Sequence, residues 1–300
     1  MKDFAGKVAF ITGGCSGIGY ALAEAFGRRG MKVMIADIDE NKLSPAVEQL
    51  RAKKIAAEGV RCDVSERASV QAAAQAVIAK FGKVHLVCNN AGVTVGTKWP
   101  IGTIAERDWN WVIDVNFKGV IHGTEVFVPL LESHGEGGHI VNTASMAALV
   151  SIPGREPYHA TKAAVLMASE GWRAQLEERG IGVSVLMPAA VSTQLFESAS
   201  RRPGRYGTRQ YDTEKEQAYV NAISGGMSAA MVAERVVEAV EVNELYIITH
   251  PEFRAQFEKR FQALLAAFDA AAKSPALEGY KPQDPGAVLT ALSGDAASRH

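Results

Sequence analysis

The 300-residue sequence is poor in cysteine: Cys15, Cys62 and Cys88 are the only three, and no two stand in a Cys-x-x-Cys spacing. An odd number so widely spread supplies neither a disulfide framework nor a zinc pattern, so small buried hydrophobes are expected at these positions. No two of the seven histidines stand in a His-x-x-x-His pair, and no metal site is expected. Charge of one sign is missing too. A net charge of -1 gives no electrostatic case for nucleic acid or an anionic membrane as partner. No apolar run approaches the ~20 residues that span a bilayer. The opening Met1-Lys2-Asp3-Phe4 places an acid where a signal peptide needs an apolar core. Without an anchor or an export signal, the cytoplasm is the expected location.

Apolar residues make up 47% and charged residues 22% of the chain, a globular balance that excludes a disordered protein. The length suffices for one large domain with a sizeable core. Short branched runs at Val8 to Thr12, Met31 to Ala36, Val60 to Cys62, Val84 to Cys88, His139 to Thr143, Ile181 to Leu186 and Leu245 to Thr249 read as strands. Helical patterns fall between them at Asn41 to Ala57, Ser65 to Phe81, Phe117 to Leu131, Tyr158 to Glu178 and Ala229 to Val240. Such alternation predicts a doubly wound α/β fold, a parallel sheet with helices on both faces. Residues 1–250 are expected to form this domain. Regularity falls over 192–228, where Pro203, Gly204, Gly207, Gly225 and Gly226 punctuate the chain, and an insertion of that length reads as a substrate lid. Residues 251–300 are expected as a C-terminal helix and a loosely held tail. The stripe Phe253, Phe257, Phe261, Leu264, Leu265 and Phe268 is read there as core or subunit contact.

The first strand runs into Gly13-Gly14-Cys15-Ser16-Gly17-Ile18-Gly19 and then a helix. Free N–H groups at such a helix start bind an anion. Gly13 permits the tight turn, while Gly17 and Gly19 allow close approach of a pyrophosphate and of the strand. Asp37 follows eighteen residues after Gly19, at the end of the second strand, where an acid hydrogen-bonds ribose hydroxyls and repels a 2′-phosphate. These features predict a Rossmann-type dinucleotide site that takes NAD. Tyr158 and Lys162, four apart on one predicted helix, share a face. An ammonium beside a phenol favours its ionisation, and Pro157 suits the first turn of that helix.

Taken together and in order, Thr12 to Gly19, Asn89-Asn90-Ala91-Gly92, Asn116, Ser145 and Tyr158-x-x-x-Lys162 resemble the short-chain dehydrogenase/reductase family, in the branch whose glycine turn spans seven residues. The likeness covers roughly residues 5 to 195. It implies that Asp63 and Val64 meet the adenine. It also implies that Asn90, Ala91 and Gly92 stand beside the cofactor, and that Pro188, Val191 and Thr193 hold the nicotinamide carboxamide. The usual glycine after Pro188 is Ala189 here. The resemblance further implies Tyr158 as general base, Ser145 on the substrate oxygen, Lys162 on the ribose and Asn116 in a proton relay. A homodimer or homotetramer is the implied assembly. Arg202 to Thr208 and the Phe-rich C-terminal helix resemble more narrowly the bacterial lignin aryl-ether Cα-dehydrogenases, which oxidise a benzylic alcohol to a ketone. The expected substrate is therefore a secondary alcohol or its ketone, with Trp99, Trp109, Trp111, Tyr206, Tyr211 and the Phe253 stripe available to wall an aromatic pocket. An NADPH-dependent ketone reductase and a non-catalytic NAD-binding sensor are the alternatives.

Overall fold

Strand β1, Val8–Thr12, is buried at all five positions, and its side chains alternate between two cores. Ala9 and Ile11 pack with Leu22, Phe26 and Val236. Val8 and Phe10 pack with Trp111, Phe127 and Leu131. A strand covered on both faces needs apolar residues throughout rather than at alternate positions, and VAFIT supplies them. The computed structural model describes residues 1–95, 99–208, 221 and 225–286, and the chain divides into two units, Met1–Phe253 and Arg254–His300.

In the first unit, β2 (Lys32–Asp37), β3 (Ala57–Arg61), β4 (Leu86–Asn89), β5 (Gly138–Thr143), β6 (Ile181–Met187) and a late strand Tyr246–Ile248 join β1 in one sheet. Its order is β3-β2-β1-β4-β5-β6 and then the late strand, with every neighbouring pair parallel. A short parallel pair, β7 (Val191–Ser192) with β8 (Met227–Ser228), precedes that late strand, β9. Helices α1 (Gly17–Arg28), α2 (Glu40–Ala52) and α7 (Ala229–Glu241) build the first core. Helices α3 (Arg67–Phe81), α4 (Glu106–Ile113), α5 (Gly119–Ser133) and α6 (Glu156–Leu176) lie on the other face. The chain leaves β1 toward β2 and β3, then crosses back to place β4 on its other side. Ligands of such sheets bind in the crevice this reversal opens at the carboxyl ends of the strands.

Two boundaries differ from the periodicity. The helix expected over Asn41 to Ala57 stops at Ala52, and β3 begins at Ala57, ahead of the expected Val60. Lys54 turns the chain with φ 63, which lets Ile55 reach the core, where it packs tightly on Gly27. Helix α4 was not expected at all. Its N-cap is Ala105, without a side-chain capping bond, so the usual start signal is missing. It continues through a π-helical turn, Asp114–Lys118, into α5.

In the second unit, α8 (Arg254–Ala272) carries Phe257, Phe261, Leu264, Leu265 and Phe268, yet none of its residues is buried. The core expectation holds for Phe253, which packs against a buried cluster of the first unit, and is corrected for the five large apolar groups on this helix, which are exposed. A short turn, Pro275–Leu277, follows; of the expected tail, residues 287–300 lie outside the described residues.

Candidate active site

The crevice between β1 and β4 opens into a cleft of about 380 Å³. Gly13, Ser16, Gly17 and Ile18 form one part of its lining, Asp37 closes another, and Asp63, Val64, Asn90, Ala91 and Gly92 continue it. Ser145, Tyr158, Lys162, Pro188, Val191 and Thr193 line the same space. Gly19 and Asn116 do not; each stands one layer behind.

The glycine turn is shaped by contact. Gly13 and Gly17 take positive φ, 64 and 54, conformations that favour glycine. A Cβ on Gly13 would stand 3.0 Å from Ala91 Cα, and one on Gly19 would lie 2.1 Å from the Gly13 carbonyl oxygen. Gly19 therefore lets helix α1 pack on the turn rather than touching what the turn holds. Ser16 is the N-cap but makes no side-chain capping bond, and the first turn of α1 carries no acid. Its N–H groups and dipole remain available to an anion. Asp37, buried at the end of β2, accepts from the Cys15 N–H at 3.2 Å and the Asp39 N–H at 3.1 Å. A carboxylate thus faces the turn, and this set of groups fits an adenine dinucleotide without a 2′-phosphate.

Thr12 secures the opposite lip. Its Oγ1 accepts from the Asn90 N–H at 2.9 Å and the Ala91 N–H at 3.0 Å, while Asn90 Nδ2 donates to the Thr12 carbonyl at 3.0 Å. Asn89 turns inward instead, donating to Asn142 Oδ1 at 2.8 Å. Asn116 lies within the π-helical turn and is fully buried. Gly92 separates it from the lysine: a Cβ there would be 3.5 Å from Asn116 Oδ1 and 3.6 Å from Lys162 Nζ.

Tyr158 and Lys162 share a face of α6, with Lys162 Nζ 5.6 Å from the centre of the phenol ring. The ammonium donates to the Thr143 carbonyl at 2.7 Å, and burial pushes its pKa down to about 8. Arg155, one turn earlier, holds a second cation 5.2 Å from the same ring. Ser145 caps the short turn Met146–Ala148, accepting from the Ala147 N–H at 3.1 Å and donating to the Pro188 carbonyl at 3.1 Å. Its hydroxyl must leave Pro188 to donate elsewhere, a single-bond rotation.

His250 escaped sequence reasoning. The Ala189 N–H donates to its Nδ1 at 3.1 Å, and its Nε2 lies 3.1 Å from the Ala190 carbonyl. This buried ring braces the segment that carries Pro188 and Val191, from just beyond β9. No local motif marks it, since the contact spans about sixty residues. Of the expected aromatic wall, Trp111 and Phe253 line the cleft. Tyr206 is instead packed into the core, with its Oη donating to Asp114 at 2.9 Å. Trp99 and Trp109 lie elsewhere, and Tyr211 is outside the described residues. Among the described residues, one group, His85, His134 and Glu136, brings metal-type ligand atoms together. It lies at the amino ends of the strands, away from the cleft. His85 Nδ1 accepts from the Val8 N–H, and His134 Nδ1 from the Glu136 N–H, each at 3.1 Å.

A doubly wound sheet with a glycine turn, an acid after β2 and a Tyr–Lys pair over one cleft defines a dinucleotide-dependent oxidoreductase. The profile of the family described as short chain dehydrogenase matches residues 7–204, and the chain belongs to that family. A C alpha-dehydrogenase of Sphingobium sp. (strain NBRC 103272 / SYK-6) is 40% identical over 268 residues, covering 88% of this chain and 87% of the relative. A short chain dehydrogenase/reductase from Burkholderia phymatum, solved in complex with NAD, is 37% identical with a TM-score of 0.83, over 95% of this chain and 100% of that one. The apo form of LigD from Sphingobium sp. strain SYK-6 is 36% identical with a TM-score of 0.74, over 88% of this chain and 98% of that one.

Proposed function

We propose that the protein transfers hydride between NAD and a secondary alcohol, giving the ketone, with Tyr158 as the general base. The observation that supports this most is that Ser145, Tyr158 and Lys162 line the same cleft as the glycine turn and Asp37. Bound NAD supplies the hydride acceptor. Gly13, Ser16, Gly17 and Ile18 would hold its phosphates, Asp37 a ribose, Asp63 and Val64 the adenine. Asn90, Ala91, Gly92, Pro188, Val191 and Thr193 would hold the remainder.

Tyr158 takes the hydroxyl proton. A free phenol has a pKa of ~10, and work near neutrality needs a shift of about three units, roughly 4 kcal/mol. The Lys162 ammonium favours the ionised phenol. Ser145 steadies charge on the substrate oxygen. The narrow space beside Gly92, between Asn116 and Lys162, supports a water-borne proton route from the lysine.

The substrate end is lined by Met146, Val150, Ile152, Leu195 and Phe253, which suits an apolar or aromatic alcohol. Together with the resemblance to the lignin aryl-ether Cα-dehydrogenases, this favours a benzylic carbinol. The 192–228 segment would act as a lid over it; Thr193, Gln194, Leu195, Arg201 and Pro203 line the cleft, while 209–220 and 222–224 lie outside the described residues. We further propose a cytoplasmic homodimer or homotetramer; among the described residues no helix is long and apolar enough to cross a membrane. A panel of benzylic, steroid and polyol alcohols, followed by NADH absorbance, tests the substrate class. Turnover of polyols alone would overturn the benzylic reading.

A further inference from the structure

Asp63 lines the cleft, and both oxygens of its carboxylate are already engaged by the protein. Oδ1 accepts from the Ser65 N–H at 3.1 Å and from Ser65 Oγ at 2.6 Å. Oδ2 accepts from Arg205 Nη2 at 2.8 Å. A carboxylate offers about four lone-pair sites, so one more donor can be taken, and it must approach Oδ2 beside Arg205. The exocyclic amine of adenine is a donor of that kind.

Arg205 comes from far along the chain. It bridges 142 positions to Asp63, and it also reaches Ser65 Oγ at 2.5 Å and Glu66 at 3.4 Å. It belongs to the segment that carries Arg201 and Pro203 into the cleft wall. Two other carboxylates hold that segment. Arg202 pairs with Asp108 of α4 and donates to the Tyr206 carbonyl at 2.6 Å, and Tyr206 Oη donates to Asp114 in the π-helical turn. Neither Asp108 nor Asp114 lines the cleft, whereas Asp63 does. Of the three carboxylates that hold the segment, that of Asp63 is therefore the one that a ligand in the cleft can reach.

We propose that Arg205 is a positioning residue for the dinucleotide: it fixes Asp63 for the adenine amine and, through the same pair, ties the wall at Arg201 and Pro203 to occupation of the adenine end. This rests on the dinucleotide reading above. The consequence is linkage. A ligand that steadies Asp63 steadies the wall, and by reciprocity a ligand that needs the wall binds better once the adenine end is filled. The Asp63 side chain is 9% exposed and that of Arg205 40%, so water screens the pair in part and its effect on affinity is modest.

The test uses ADP-ribose, which has the adenine end without the nicotinamide, and nicotinamide mononucleotide, which has the reverse. Calorimetric titration of the full chain with ADP-ribose should show Arg205→Ala about fivefold weaker, the scale of a half-exposed ion pair. Arg205→Lys should recover most of the loss. Asp63→Asn combined with Arg205→Ala should be no weaker than Asp63→Asn alone. Nicotinamide mononucleotide should bind all of them alike. ADP-ribose should also slow amide exchange across residues 201–207 in the wild type but not in Arg205→Ala. Equal ADP-ribose affinity in Arg205→Ala and wild type, or equal exchange protection in both, overturns the proposal. So does a matching loss for nicotinamide mononucleotide, which would mean a general collapse of the wall. Failure of the wild type to bind ADP-ribose would instead sink the dinucleotide reading, and this proposal with it.

Discussion

Asn116 and the backbone of Val93 exchange two hydrogen bonds: the Val93 N–H donates to Oδ1 at 2.8 Å, and Nδ2 donates to the Val93 carbonyl at 2.9 Å. A side chain inside the π-helical turn thereby fixes the strand-end loop that follows Gly92. Asn116→Ala leaves a partly buried N–H and C=O without partners, at a cost of about 1–3 kcal/mol. Urea unfolding of both proteins measures this, and a change below ~0.5 kcal/mol would remove the amide from that structural role.

Tyr158→Phe keeps the ring and its packing while removing the proton acceptor. Its kcat/KM is expected to fall at least ~10²-fold, with NADH affinity within about twofold of wild type in a fluorescence titration. Near-normal turnover with intact binding would take the base role away from Tyr158.

Lys162 carries a pH signature. Burial puts its folded pKa at about 8, whereas an unfolded lysine titrates near ~10.4. Between these values the unfolded chain binds more protons, so this group adds stability as the pH rises through the window. Below it, the folded state bears the full cost of a buried ammonium, roughly 3 kcal/mol. Cofactor-free Lys162→Met should thus melt above wild type near neutral pH and approach it at about pH 10. A gap that stays constant from pH 7 to 10 would contradict the assignment.

Asp37 should separate the two nicotinamide cofactors. At an effective dielectric of ~20, unit charges 4 Å apart interact by about 4 kcal/mol, so NADPH is expected at least ~10²-fold weaker than NADH. Asp37→Ser should narrow that ratio. Comparable wild-type affinities for the two would overturn the charge argument.

Gly19→Ala tests the turn itself. Its new Cβ would fall 2.1 Å from the Gly13 carbonyl oxygen, and backbone cannot swing aside as a flexible side chain can. ADP-ribose binding should drop by more than about tenfold, whereas Gly171→Ala, on open space along α6, should bind as wild type does.

The doubly wound sheet was readable because a strand buried on both faces writes its burial as an unbroken apolar run, as Val8 to Thr12 does. The cleft was readable where function forces a residue type, as at Gly13, Gly17 and Asp37. Helix α4 was not, because Ala105 gives its start no polar cap and the π-helical turn interrupts the helical period before α5. His250 and Arg205 were not readable either. Each acts through a contact made only when distant parts of the chain fold together, and neither stands in a spacing that local chemistry dictates. The exposed stripe on α8 was legible as a pattern, but periodicity alone cannot tell a covered face from an open one.

The bond from the Cys15 N–H to the Asp37 carboxylate bears on how cofactor choice can drift or be redesigned. The acid that rejects an extra phosphate is also a strut under the glycine turn. Replacing it to admit a 2′-phosphate therefore loosens the loop that must grip the remaining phosphates. A change of cofactor in this scaffold takes paired substitutions, one that removes the charge and another that restores the strut from the Cys15 side.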